Sequence, residues 1–301
     1  MTFYRQIVRA GRHFGPTWRY GFNLAPTLAY RFGDRSLSGE ATRVVGDLNV
    51  YGMAVTSVDA LLESRSCYEE LGRTVDDLED ALAGRLAAAR ADANDTGAVG
   101  RKTFNIELLG GRPVLDPESV YARFALQNPI LQIANAYFGM LTRLRYYNVW
   151  HTFATRGAPR ESQLWHRDRE DHFILKVFVY LSDVGESAGP FTYATGSHMK
   201  RKLTRTPAYS LEGCVRRSTD EQMAEVVPRE RWTKGTGPRG TIVFADTHGY
   251  HKGGLARASD RLMYTCMFTS QASQSQQLFE VPRKLSLPAG RELSFALSMA
   301  K

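Results

Sequence analysis

"SQLWHRDREDHFILKVFVYLSDV", residues 162–184, sets a polar stretch against a long apolar run. The run "HFILKVFVYLSDV" has the β-branched and aromatic content of a core strand, its apolar stretch from Phe173 to Leu181 interrupted only by Lys176. Ahead of it stand His166 and Asp168, two residues apart. In an extended chain alternate side chains share a face, so His166 and Asp168 point one way and Arg167 the other. An imidazole nitrogen beside a carboxylate oxygen makes two ligands for a divalent metal. The competing reading is a charged turn leading into the core. Spacing alone does not decide: with 31 acids in 301 residues, seven histidines give roughly 0.7 such pairs by accident.

The segment "GTIVFADTHGYHKGGLARASDRLMYTCMF", 240–268, adds weight. It reads as a strand, a turn carrying His248 and His251, two glycines, and Arg261 at the entry to another strand. A third ligand must come from a different strand, and either histidine offers one. The paired glycines would let the chain turn back, so that the next strand runs beside the first. Arg261 then reaches inward, where a guanidinium grips a carboxylate through two parallel hydrogen bonds, as lysine cannot.

The rest of the chain bounds the answer. Its 301 residues suffice for a large core, and 43% apolar with 23% charged residues is ordinary for a globular protein. No apolar run approaches the roughly 20 residues of a membrane helix. The basic N-terminus lacks the apolar core and cleavage site of a signal peptide. Cys67, Cys214 and Cys266 are scattered without CxxC spacing, which suggests reduced thiols and a cytoplasmic protein. The net charge of +8 suits nucleic acid, an anionic membrane surface or acidic small molecules. The arginines, however, are spread along the chain, with no helix-turn-helix and no RNA-binding aromatic signature, so nucleic acid is not expected.

Residues 1–40, rich in Arg, Gly and aromatics, read as an irregular basic arm packed on the body, with a peripheral contact to a partner or membrane surface open to it. Stretch 43–58 has the content of a strand pair, and Ser57 can cap a helix that follows it. Val75, Leu78, Leu82, Leu86 and Ala89 recur at spacings of three and four and predict a helix. "DANDTGAVGR", 92–101, reads as a surface loop, and 117–140 as two short helices interrupted near Asn128-Pro129. From 141 onward short strands alternate with Gly/Pro turns, the pattern of a sandwich or barrel. The expected architecture is mainly β with flanking helices: a helical N-terminal half, about 57–140, buttressing a β core, about 141–270, in one domain over 41–301.

"WHRD", "GPFTYATGSH" and "GTIVFADTHGYHKGG" followed by Arg261 resemble the phytanoyl-CoA dioxygenase (PhyH-like) family of iron(II)/2-oxoglutarate oxygenases. The resemblance covers roughly 140–270 well and 43–60 loosely. It implies a double-stranded β-helix, the jelly-roll or cupin-like fold. It makes His166, Asp168 and His251 the iron ligands and pairs Arg261 with the distal carboxylate of 2-oxoglutarate. The "HKGG" context is what favours His251 over His248, and Glu170 or Asp171 would replace Asp168 only if the segment were not extended. His198 lies in "TGSH", similar to the family's "PGSH" loop, and reads as a pocket wall, with Thr195 where proline is common. His172 reads as structural. Lys176 is a candidate to hold a 2-oxoglutarate carboxylate, or else carries its head to the surface on an aliphatic stem. Gln163 and Ser162, with Asn148 and Tyr146, are candidates to line the co-substrate or substrate pocket, while Trp165 and Trp150 read as packing.

The activity implied is dioxygen-dependent hydroxylation of an unactivated C–H bond in a small-molecule or lipid-like substrate. It is coupled to decarboxylation of 2-oxoglutarate to succinate and CO2. Asp168 favours hydroxylation over halogenation, because related halogenases lack the carboxylate; desaturation, cyclisation and epoxidation remain open to the same centre. The alternative is a catalytically silent jelly-roll module that binds a small molecule.

Overall fold

The structure, a computed structural model, describes residues 11, 14–94, 102–201, 203, 205–212, 215–273 and 278–298. Most of the loop expected over 92–101, the first ten residues of the arm and Cys214 lie outside these.

After a helical turn at Thr17–Phe22 come α1 (Leu24–Arg31), α2 (Gly39–Tyr51), β1 (Met53–Ser57), α3 (Val58–Leu61), α4 (Ser66–Ala81) and α5 (Ala83–Asp92). Next are β2 (Asn105–Glu107), α6 (Val120–Ala125), α7 (Asn128–Phe138), β3 (Arg143–Thr152), β4 (Leu175–Tyr180) and β5 (Thr192–Ala194). The remaining strands are β6 (Ser210–Glu212), β7 (Val215–Arg217), β8 (Trp232–Lys234), β9 (Thr241–Asp246), β10 (His251–Lys252) and β11 (Arg261–Thr269).

Six strands form one antiparallel sheet in the order β1-β9-β4-β11-β3-β2, and three form a second in the order β10-β5-β8. The large sheet is buried on both faces, and its side-chain alternation divides the labour. Leu175, Val177 and Val179 of β4, with Leu262, Tyr264, Cys266 and Phe268 of β11, pack on helices through Leu48, Leu71, Val75, Phe124 and Ile130. The intervening Phe178, Tyr180 and Met263 face the second sheet and meet Phe191 and Tyr193. Phe178 and Phe191 pack in a tilted arrangement with ring centroids 4.8 Å apart. Lys176 and Arg261 fall on this same inward face.

Several local expectations change. Residues 43–51, read as strand from Val44, Val45 and Val50, belong to helix α2. The Ser38 hydroxyl accepts from Ala41 N–H at its start, and Ala41, Val44 and Leu48 bury one stripe at helical spacing. The helix ends at Gly52, whose φ of +82° an L side chain rarely adopts and where an added Cβ would lie 2.5 Å from the Tyr193 hydroxyl. Only 53–57 is strand, and Ser57 caps α3. The heptad-like run from Val75 to Ala89 is two helices, broken at Leu82. Strand β11 does not run beside β9, because β4 is inserted between them. His251 and Lys252 first join the second sheet, and the glycines then lead the chain out of it: Gly254, at φ +70°, brings its Cα so close to Pro190 that a Cβ would meet that carbonyl at 2.3 Å.

The arm is not irregular where it is described. Its two helical segments dock through Trp18, which is buried, donates Nε1–H to Asp171 Oδ1 at 2.7 Å and packs edge-on against Phe173. Trp18→Ala empties this socket and is expected to lower stability by about 3–5 kcal/mol. Trp18→Phe removes the hydrogen bond and part of the ring volume while keeping an aromatic in the socket, and should cost about 1–3 kcal/mol. Urea unfolding measures both; a Trp18→Ala chain as stable as its parent would mean that the arm is not docked.

Candidate metal centre

Two backbone hydrogen bonds, His166 N–H to His251 O at 2.9 Å and His251 N–H to His166 O at 3.0 Å, join segments far apart in sequence. Paired residues of an antiparallel bridge project to the same side, so the two imidazoles meet with ring centroids 4.3 Å apart. Asp168, two residues on in extended chain, is anchored by its N–H to Thr247 O at 2.9 Å and presents its carboxylate to the same point. One donor atom from each of His166, Asp168 and His251 lies within 4.8 Å of the other two, a cluster that could hold a metal ion.

The protonation of the three groups suits that task. His166 Nδ1 stands 2.9 Å from Leu164 O and His251 Nδ1 stands 3.0 Å from Gly249 O. A carbonyl accepts only, so each Nδ1 carries the proton and each Nε2 is left as a bare lone pair. Burial pushes His251 down to about 4, against the pull of Asp168. Burial, then the neighbouring His251, pushes His166 well below its ordinary value. Burial, the largest single influence, favours protonated Asp168, but the Lys176 ammonium together with His251 and His166 outweighs it and holds the carboxyl well below the usual carboxylate range. Two neutral imidazoles and an ionised carboxylate are the states in which these side chains bind a metal.

Lys176 carries its head into the site and not to the surface: Nζ lies 2.7 Å from Asp168 Oδ2. Arg261 is 3% exposed; its Nη1 donates to Gly253 O at 2.8 Å and its Nε has no partner. Among the described residues no carboxylate lies within ion-pair distance of it. All these groups line one cavity of about 520 Å³, with an apolar wall that includes Phe178, Phe191, Trp150 and Met263.

Other expected residues lie elsewhere. Gln163 faces away from the cavity, its Oε1 accepting the Arg160 N–H in a short helical turn. His248 stands outside the cluster, with Nδ1 3.2 Å from Asp171 O. His198 is not a cavity wall; it is buried against α2, with Nε2 3.3 Å from Asn49 O. Asp171 is a structural acceptor for Trp18 and for Ser270 N–H. Asn148 and Tyr146 turn to Gly110 O and Glu107, outside the lining. Ser162 and Glu170 do line the cavity, and so does Trp150, beyond its packing role. Trp165 packs on Trp232.

Sequence reading missed Lys102, Arg169, Arg216 and Arg217. Seven basic and two acidic side chains line the cavity, so arginines that look dispersed along the chain are gathered here by the fold. The doublet Arg216-Arg217 was the available signal.

No protein-family profile and no curated protein matches the chain. Solved structures do. EctD from S. alaskensis with bound Fe is similar at 16% identity over 82% of this chain and 90% of that one, with a TM-score of 0.53. EctD with 2-oxoglutarate and 5-hydroxyectoine gives the same identity and coverage at 0.52. The epimerase SnoN in complex with Fe3+, alpha ketoglutarate and nogalamycin RO matches at 16% identity, 77% and 84% coverage and 0.48. At such identities the EctD likeness is one of fold. No helix among the described residues is long and apolar enough to cross a membrane.

Because both histidines are already neutral well below pH 6.5, protons should not compete with a metal until the solution approaches pH 4. Mn(II) affinity is expected to stay nearly constant from pH 8 to pH 6 and to fall as the pH drops toward 4. Calorimetric titration across that range checks it; a decline centred on the ordinary histidine value of about 6.5 would contradict it.

Proposed function

We propose that the chain is an iron(II)/2-oxoglutarate-dependent oxygenase that hydroxylates an unactivated C–H bond of a small molecule. Its two sheets would form the double-stranded β-helix of such enzymes. The reading is carried by one observation: a cluster of two histidines and one carboxylate, in metal-binding protonation states, shares a cavity with a buried guanidinium that no carboxylate among the described residues neutralises.

The residues present fit the cofactors. His166, Asp168 and His251 would hold the iron on one side, leaving the cavity side open. Iron with 2-oxoglutarate and O2, when bound, supplies the oxidising power to break the C–H bond, with 2-oxoglutarate released as succinate and CO2.

The protein's own part is to bind, orient and exclude water. Arg261 is buried with no anion beside it among the described residues, an arrangement costly to maintain unless one arrives. It would take the distal carboxylate of 2-oxoglutarate through its free edge, while the bond to Gly253 O fixes its plane. Lys176 is committed to Asp168; in place of gripping the co-substrate, it would keep that carboxylate ionised and aimed. Leu164 O and Gly249 O hold the imidazoles so that Nε2, not Nδ1, faces the metal. Phe178, Phe191 and Met263 keep the inner wall apolar, which suppresses the entry of water. The carboxylate at position 168 occupies the place that a halide would need, so hydroxylation is favoured over halogenation.

Iron(II) and 2-oxoglutarate added to the protein without oxygen should produce the weak visible band of the chelate, and air should then yield succinate. Asp168→Ala and His251→Ala are expected to abolish the band, whereas His248→Ala should leave it. Arg261→Ala should keep the iron but raise the 2-oxoglutarate requirement at least tenfold, about 1.4 kcal/mol. A parent chain that binds metal yet never shows the band or succinate would be a silent binding module.

A further inference from the structure

We infer that the substrate is an anion, a small molecule carrying a carboxylate or phosphate head that is gripped by Arg217 at the inner end of a basic funnel, with the uncharged body reaching the metal centre. The inference rests on the oxygenase reading above and adds the substrate class.

Arg217 is placed by the same backbone that builds the metal site. Ser218 and Trp165 exchange two hydrogen bonds of 3.0 Å, which fastens the β6–β7 hairpin beside the strand leading to His166. Arg217 is therefore carried to the cavity wall, where it is 5% exposed and close enough for its charge to act on His166 and His251. Its neighbours satisfy it only in part. Glu161 and Glu212 each form an ion pair with it at 3.6 Å, beyond hydrogen-bond distance, and among the described residues Nε and Nη1 have no hydrogen-bond acceptor. Lys176, by contrast, is closed on Asp168 at 2.7 Å. A buried guanidinium with two unfilled donors is a half-made site for an oxyanion, and its planar fork matches a carboxylate or phosphate.

The approach to Arg217 is predominantly basic, with Glu170 as an acidic exception in the lining. Lys102, Arg169 and Arg216 line the same cavity and are exposed. Arg216 lies over the Tyr209 ring at 4.5 Å, which braces it at the rim without neutralising it. Converging like charge of this kind costs self-repulsion and raises the local concentration of anions. 2-Oxoglutarate accounts for Arg261, and Asp168 for Lys176, but neither accounts for this outer group.

The test uses the full-length chain loaded with Mn(II) and saturated with 2-oxoglutarate, so that no turnover occurs, and titrated calorimetrically with phenyl phosphate, hexanoate and uncharged hexanamide. The two anions are expected to bind at least tenfold more tightly than hexanamide, and the stronger of the two identifies the head group as phosphate or carboxylate. Arg217→Gln should weaken anion binding at least tenfold while leaving 2-oxoglutarate affinity within twofold. The exposed Arg216→Glu, which leaves the core untouched, should weaken it at least threefold. Anions binding no better than hexanamide, or unaffected by both substitutions, would overturn the inference and leave the oxygenase reading standing. Arg217→Gln weakening 2-oxoglutarate instead would reassign Arg217 to the co-substrate and equally overturn it. Failure of 2-oxoglutarate itself to bind would strike the oxygenase reading, and the substrate assignment with it.

Discussion

The reciprocal pair of backbone hydrogen bonds between His166 and His251 is the contact on which the site depends. It is an ordinary piece of antiparallel pairing, yet it fixes two things at once. It sets the separation of the imidazoles, and it sends both to one side of the ribbon. The carbonyls of Leu164 and Gly249 then choose which ring nitrogen faces inward. No long-range side-chain network is needed to bring the two imidazoles together; main-chain geometry does so.

The second constraint is electrostatic. The sheet alternates an apolar face toward the helices with an inner face that carries Lys176 and Arg261. Burying a charge is unfavourable unless it is paired. One of these cations is paired with Asp168, and that pairing helps to keep the carboxylate ionised. The other has no anionic partner among the described residues. The fold therefore tolerates a locally unfavourable arrangement at this cavity, and the helical layer supplies the apolar burial that sustains it.

Much of this was legible in the sequence, for physical reasons. The pair His166 and Asp168 is readable because period-two alternation holds wherever a chain is extended, and strands β4 and β9 because their apolar runs have no other home. The N-terminal reading failed where competing signals were local: Val44, Val45 and Val50 suggest strand, while the Ser38 cap and the Ala41–Val44–Leu48 stripe decide for helix. Three-dimensional adjacency was the harder loss. Inserting β4 between β9 and β11 is a choice of topology that no short spacing encodes. Arg217 escaped notice because β7 is only three residues long and its neighbours are exposed. Lys176 was ambiguous in sequence, since a long cationic side chain can reach either surface or cavity, and only the position of Asp168 settles which.

The most direct test of the account is an anaerobic crystal structure of the iron(II)-soaked protein, with anomalous scattering recorded at the iron edge. The account requires one strong peak within bonding distance of Nε2 of both imidazoles and of the Asp168 carboxylate. A peak at His248, or no ordered iron among these three side chains, would contradict it.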